Sequence, residues 1–154
     1  MTTLQVGDDA PDFTLPSTRG ALRLRELAVG KKVVLAFYTE DNTPLCSNEL
    51  SVLKEDYDLL QQLGAEVVAV SADGLQAHRD FARRLRGVPF PLASDERLEA
   101  AKAYAVADET GKRSRRAIFV IDKGGKIAHV VHWFQPGNPS QYEEIFHTLG
   151  FDTE

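Results

Sequence analysis

Val33-Val34-Leu35-Ala36-Phe37-Tyr38, then Thr39-Glu40-Asp41-Asn42-Thr43-Pro44-Leu45-Cys46-Ser47-Asn48-Glu49, then Val67-Val68-Ala69-Val70, is the part of the sequence that says most about the architecture. The first and last runs are apolar on both alternating faces, as strands covered on both sides must be. Between them Cys46, Leu50, Leu53, Tyr57 and Leu60 recur at steps of four, three, four and three, which marks one stripe of an amphipathic helix ending at Gly64. The reading is a strand, a helix and a parallel strand, with Cys46 on the core-facing stripe.

The pattern continues outward on the C-terminal side. Gln76 to Leu85 and Glu96 to Tyr104 read as helices, the second with Ser94 and Asp95 as candidate cap residues. The two prolines of Gly87-Val88-Pro89-Phe90-Pro91 make that segment a loop or an edge strand, because neither can donate to a ladder. Ala117 to Ile121 and Lys126 to Val131 flank Asp122-Lys123-Gly124-Gly125, a hairpin signal, and a last helix from Ser140 to Leu149 stops at Gly150. These elements predict an α/β class, a mixed central sheet flanked by helices.

Composition bounds the function. The 154 residues suit a single domain spanning 1–154, with no repeat or linker. A net charge of −5 offers no basic surplus to neutralise phosphates, so nucleic acid is not an expected partner. The apolar run at 33–38 is far too short for the roughly 20 residues that span a bilayer, so no membrane association is expected. The N-terminus has neither the basic start nor the apolar core of a secretory leader, and one cysteine forms no intrachain disulfide, so a cytoplasmic location is expected.

Chemistry concentrates where the first strand meets the helix. Pro44 suits the first helical position, which makes Thr43 the N-cap and puts Cys46 in the first turn, at the site where a capping box holds a carboxylate. A free cysteine on an apolar stripe usually behaves as a small hydrophobe. Against that, open α/β sheets place their sites at the carboxyl ends of strands, and a helix N-terminus favours the thiolate.

Phe37-Tyr38 with Thr43-Pro44-Leu45-Cys46-Ser47-Asn48-Glu49 resembles the active-site segment of peroxiredoxins of the AhpC/TSA superfamily, specifically the bacterioferritin comigratory protein (PrxQ) branch. Residues 6–16, 89–95 and 116–122 are similar to that family's other landmarks, so the likeness covers nearly the whole chain. The resemblance implies a thioredoxin-like fold and a cysteine thiolate that reduces hydrogen peroxide or organic hydroperoxides, with no cofactor and no metal. It further implies Cys46 as the attacking sulfur, Thr43 as the hydroxyl that holds the peroxide, Arg116 beside the sulfur, and Glu49 as the acid that orients this arginine. The expected assembly is a monomer or a weak dimer. The family's motif has a proline where Thr39 stands, and many members have a second cysteine where Ser51 stands.

Ser51 implies a one-cysteine cycle, in which the sulfenic acid is resolved by an external thiol: a thioredoxin, a glutaredoxin-like protein or a low-molecular-weight thiol. Acidity alone adds little. Lowering a thiol pKa from about 8.5 to about 6 raises the thiolate fraction roughly thirtyfold but loses roughly tenfold in nucleophilicity, so Thr43 and Arg116 are left to supply the rate. The alternative is a redox sensor or binding module of the same fold, with little turnover. Arg113 and Arg115 read as solvated charges, and His78, His129, His132 and His147 as solvated or core-edge residues. His129 and His132 point to opposite faces of a strand, while Trp133 and Phe134 read as core aromatics. The Asp152 to Glu154 tail reads as solvated surface.

Overall fold

The computed structural model describes residues 4–41, 43–135 and 137–150, with only the backbone of Leu45; the tail read as solvated lies outside them. Seven strands form one sheet: β1 (Thr14–Ser17), β2 (Gly20–Arg23), β3 (Lys32–Phe37), β4 (Ala65–Ser71), β5 (Leu92–Ser94), β6 (Ala117–Ile121) and β7 (Ile127–Val131), in the order β2-β1-β5-β4-β3-β6-β7. β3, β4 and β5 run parallel, while β1, β6 and β7 pair antiparallel to their neighbours. This is the mixed sheet expected from the pattern, with the two apolar runs at its centre.

Period-two alternation divides the core. Val33, Leu35 and Phe37 join Val68, Val70, Phe119 and Ile121 on one face, while Val34, Ala36 and Tyr38 join Val67, Ala69, Ile118 and Val120 on the other. The first face is covered by α1 (Leu24–Leu27) and α5 (Glu99–Ala103). The second is covered by α2 (Pro44–Glu55), α3 (Tyr57–Gln62), α4 (Leu75–Arg84) and α6 (Pro139–Thr148). The stripe Cys46, Leu50, Leu53, Tyr57 and Leu60 is buried along its length, and truncating Leu50 to Ala is worth about 2–5 kcal/mol.

Several elements differ from the pattern, β5 among them, since Leu92–Ser94 has no counterpart in it. The single long helix is interrupted at Asp56, whose φ of −93° and ψ of 3° leave the helical basin; the stripe stays in register across the break because Asp56 N–H still donates to Val52 and Leu60 N–H to Asp56. The helix read over 96–104 begins only at Glu99, after Leu98 turns left-handed at φ 58°. Asp95 does cap it, but across the turn, its two oxygens accepting from Ala100 and Ala101 N–H at 3.1 and 2.9 Å, whereas Ser94 belongs to β5. The hairpin of β1 and β2, with α1 after it, has no counterpart in the pattern because its strands are only four residues long. The Asp122–Gly125 turn does form the expected hairpin, with Gly124 and Gly125 at φ 93° and 91°, which side chains disfavour.

Candidate active site

β3 ends at the carboxyl edge of the sheet, and Tyr38 to Asp41 lead from there toward α2. Thr43 has extended backbone angles and caps α2: its Oγ1 accepts the Cys46 N–H at 3.3 Å while donating to the Glu40 carbonyl at 3.3 Å. Pro44 fills the first helical position, and Ser47 N–H closes the first turn onto the Thr43 carbonyl at 2.8 Å. The cap and the position of Cys46 are those read from sequence. The sulfur sits in the first turn, where the helix dipole favours negative charge, yet Cys46 has no exposed surface and packs in the second core cluster.

Glu49, one turn further, is also wholly buried, and neither carboxyl oxygen has a hydrogen-bond partner. Burial pushes its carboxyl well above the usual carboxylate range; the neighbouring Cys46 adds to this and Arg116 opposes it. Arg116 lies immediately before β6 rather than within it, with the strand parity of Ile118 and Val120, and its carbonyl accepts from Phe134 N–H at 3.0 Å. Its Nη1 donates to Thr39 Oγ1 at 3.5 Å, a long bond, and its Nε is buried without a partner. Glu49 therefore feels both Cys46, from its own helix, and Arg116, from the edge of β6 on the same face of the sheet. Glu49 and Arg116 share no hydrogen bond.

A cleft of about 180 Å³ opens over Arg116, lined by Thr39, Arg115, Trp133, Phe134 and Gln135. A larger one, of about 340 Å³, lies among Ser17, Leu22, Glu26, Tyr57 and Glu66. Cys46 lines neither of them, and it is Arg116 that ties the smaller one to the Glu49 neighbourhood. Around the smaller cleft several surface readings change. Arg115 is no solvated charge: its Nε and Nη1 donate to the His132 and Ala105 carbonyls, both at 2.9 Å, and its guanidinium stacks 4.5 Å from the Trp133 ring. Trp133 is 69% exposed and so is not core, whereas Phe134 is buried. Arg113 is half-exposed and pairs with Glu40 at 3.2 Å.

The histidines divide as well. His129 faces Glu144 of α6 at 3.6 Å, while His132 packs its ring on Phe119 across the sheet. Burial and Arg115 together hold His132 below its ordinary pKa. Among the described residues no three His, Cys, Asp or Glu side chains are placed to share a metal ion. His78 is the residue the pattern missed. It is fully buried, with Nδ1 2.8 Å from Asp41 Oδ2 and Nε2 3.0 Å from the Ala93 carbonyl, and Tyr38 donates its hydroxyl to Asp41 Oδ1 at 2.6 Å. The one available signal was its place on the apolar face of α4, three residues before Phe81.

The AhpC/TSA family profile matches residues 6–130. The chain belongs to the AhpC/TSA family. Within it, the curated relatives are of the peroxiredoxin Q and bcp kind: peroxiredoxin Q, chloroplastic, of Oryza sativa subsp. japonica is 33% identical over 132 residues. The bcp protein of Coxiella burnetii is 34% identical over 134 residues. The match covers 84% of this chain but only 60% of the rice protein, and 83% of this chain against 88% of the Coxiella protein. Among solved structures, the peroxidoxin BcpB of Mycobacterium tuberculosis superposes with a TM-score of 0.84 at 29% identity, over 95% of this chain and 96% of that one. The thioredoxin-like fold expected for the family is thus the one this chain adopts. Among the described residues no helix is long and apolar enough to cross a membrane.

Proposed function

We propose that the chain is a thiol-dependent hydroperoxide reductase working through Cys46 alone. The observation that supports this reading is the capped first turn of α2, which sets the chain's one sulfur one turn before Glu49, a buried carboxyl that feels both Cys46 and Arg116. The Cys46 thiolate attacks one peroxide oxygen; an S–O bond forms, the O–O bond breaks, and the departing oxygen leaves as water or alcohol after taking a proton. Sulfur is oxidised by two electrons and the peroxide is reduced by two. Arg116 supplies positive charge to the departing oxygen, and the Thr43 hydroxyl fixes the peroxide in line. Burial favours the protonated form of Glu49, which cancels less of that positive charge than an ionised carboxylate would.

Ser51 offers no second thiol, so an external thiol condenses with the sulfenic acid, releasing water, and a second thiol frees Cys46 as a disulfide departs. The reductant is a thioredoxin, a glutaredoxin-like protein or a small thiol, and the setting is the cytoplasm. Stopped-flow mixing of reduced protein with one equivalent of hydrogen peroxide tests the reading, with Cys46→Ser as control. A rate constant far above that of a free thiol is expected; a free-thiol rate overturns it. The zero exposure of Cys46 favours the second reading, a redox sensor with slow turnover, which that free-thiol rate would support.

A further inference from the structure

The carbonyl that accepts the Thr43 hydroxyl belongs to Glu40, and the next residue, Asp41, is anchored from three directions. Asp41 Oδ1 accepts the Tyr38 hydroxyl at 2.6 Å, Asp41 Oδ2 meets His78 Nδ1 at 2.8 Å, and Asp41 N–H donates to Asp73 Oδ2 at 2.8 Å. Asp73 is itself held by the Ser71 hydroxyl at 2.6 Å, and its carbonyl accepts from the Ser94 hydroxyl. The ring of His78 completes the frame from α4, with Nε2 on the Ala93 carbonyl of β5.

Donor accounting fixes what this cluster is. A carbonyl only accepts, so Nε2 carries hydrogen; the Tyr38 hydrogen goes to Oδ1, which leaves one proton between Nδ1 and Oδ2. Whichever atom holds it, the pair is neutral overall and every polar atom of the ring has a partner. The groups facing the ring are Tyr38, Asp41 and the Ala93 carbonyl, with Asp73 behind Asp41. None of them belongs to the cleft over Arg116, and a wholly buried ionisable pair is costly unless fully hydrogen-bonded. Such a pair at the root of a six-residue connection fixes where that connection goes.

We propose that Asp41 and His78 are positioning residues for the peroxide step: the Tyr38–Asp41–His78 frame holds Glu40 and Asp41 in place so that Thr43 caps α2 and the Cys46 sulfur stays covered. This deepens the reading above and rests on it. The frame acts through Thr43, not through the acidity of the sulfur. Loosening it should therefore slow reaction with peroxide, which needs the placed hydroxyl, while speeding alkylation by iodoacetamide, which needs only a thiolate it can reach.

The test measures both rate constants on the reduced full chain for Asp41→Ala, His78→Phe, Asp41→Asn and Tyr38→Phe. Tyr38→Phe removes one hydroxyl and serves as the mild variant should the others not fold. Asp41→Asn keeps an acceptor for Tyr38 and can donate to a neutral His78, so it keeps the frame without the charge. Expected for Asp41→Ala and His78→Phe are a peroxide rate constant at least tenfold lower and an alkylation rate at least threefold higher. Asp41→Asn should stay within threefold of the parent in both, and Tyr38→Phe should fall between. A lower melting temperature with both rates unchanged overturns the proposal, as do two rates that fall or rise together. Should the parent react with peroxide no faster than a free thiol, the peroxidase reading fails by itself, and alkylation decides alone: a rise supports the frame, an unchanged rate overturns it.

Discussion

Replacing Glu49 by Gln tests the charge state of the site through stability. Both side chains are nearly the same size and both would bury polar atoms that lack partners, so the packing and desolvation costs largely cancel. What differs is the proton. The folded protein holds the Glu49 carboxyl well above its ordinary value of 4.5, by burial first and by Cys46 second. At pH below that value the side chain is protonated folded and unfolded alike, and its full contribution to stability is present. Above it the unfolded chain releases the proton while the folded chain keeps it, so stability is lost as pH rises until the folded carboxyl ionises in turn. The slope is at most about 1.4 kcal/mol per pH unit. For a domain near 150 residues, 1 kcal/mol moves the melting temperature by about 2–4 °C, so the slope corresponds to roughly 3–5 °C per pH unit. The glutamine variant has nothing to titrate at this position. Thermal melts of parent and Glu49→Gln at pH 5, 6 and 7 should therefore show the variant gaining on the parent at each step, and the gain should shrink in a Cys46→Ser background. A difference that stays constant with pH, or one that favours the parent at pH 7, refutes the reasoning: the attraction of Arg116 would then outweigh burial and Glu49 would be ionised.

Three further outcomes follow from the geometry. Arg116→Ala should lower the peroxide rate constant by about 10²–10³, as loss of a donor to a developing oxyanion does; a loss of only two- to threefold, read by stopped flow at a pH where the thiolate is complete, would reduce its role to tuning acidity. Thr43→Val should cost about 1 kcal/mol through the lost cap, read in urea melts, and should slow the peroxide step, whereas Thr43→Ser keeps both. Asp95→Ala leaves Ala100 and Ala101 N–H without their acceptor and should cost about 1–3 kcal/mol while the peroxide rate constant holds; a matching loss of rate would tie α5 to the site.

The sheet was legible because its central strands are buried on both faces, and a run such as Val33 to Phe37 leaves few other interpretations. Capping chemistry was equally legible: Thr43 and Pro44 define the start of α2 from local rules alone. The short strands β1, β2 and β5 were not, since three or four residues without a doubly apolar run hold too little periodicity. Nor was the interruption at Asp56, because a stripe that stays in register conceals a break in the helix that carries it. In the site, Cys46 and Thr43 are neighbours in sequence and could be placed together. Arg116 is 70 residues from Cys46 in sequence, and its place came from family likeness. His78 and Asp41 are 37 residues apart, and nothing local marks them as partners. Arg115 and Arg116 look alike in a basic turn, yet one clasps two carbonyls and an indole while the other faces the sulfur's neighbourhood.

Trp133 is the sole tryptophan of the chain, and it stands on the rim of the cleft over Arg116 with the Arg115 guanidinium against its ring. The molecule thus has a single indole fluorophore beside its four tyrosines, wet on one side and stacked on a cation on the other. Its emission reports, without a label, on the Arg115 contact and on the water at the rim of the cleft.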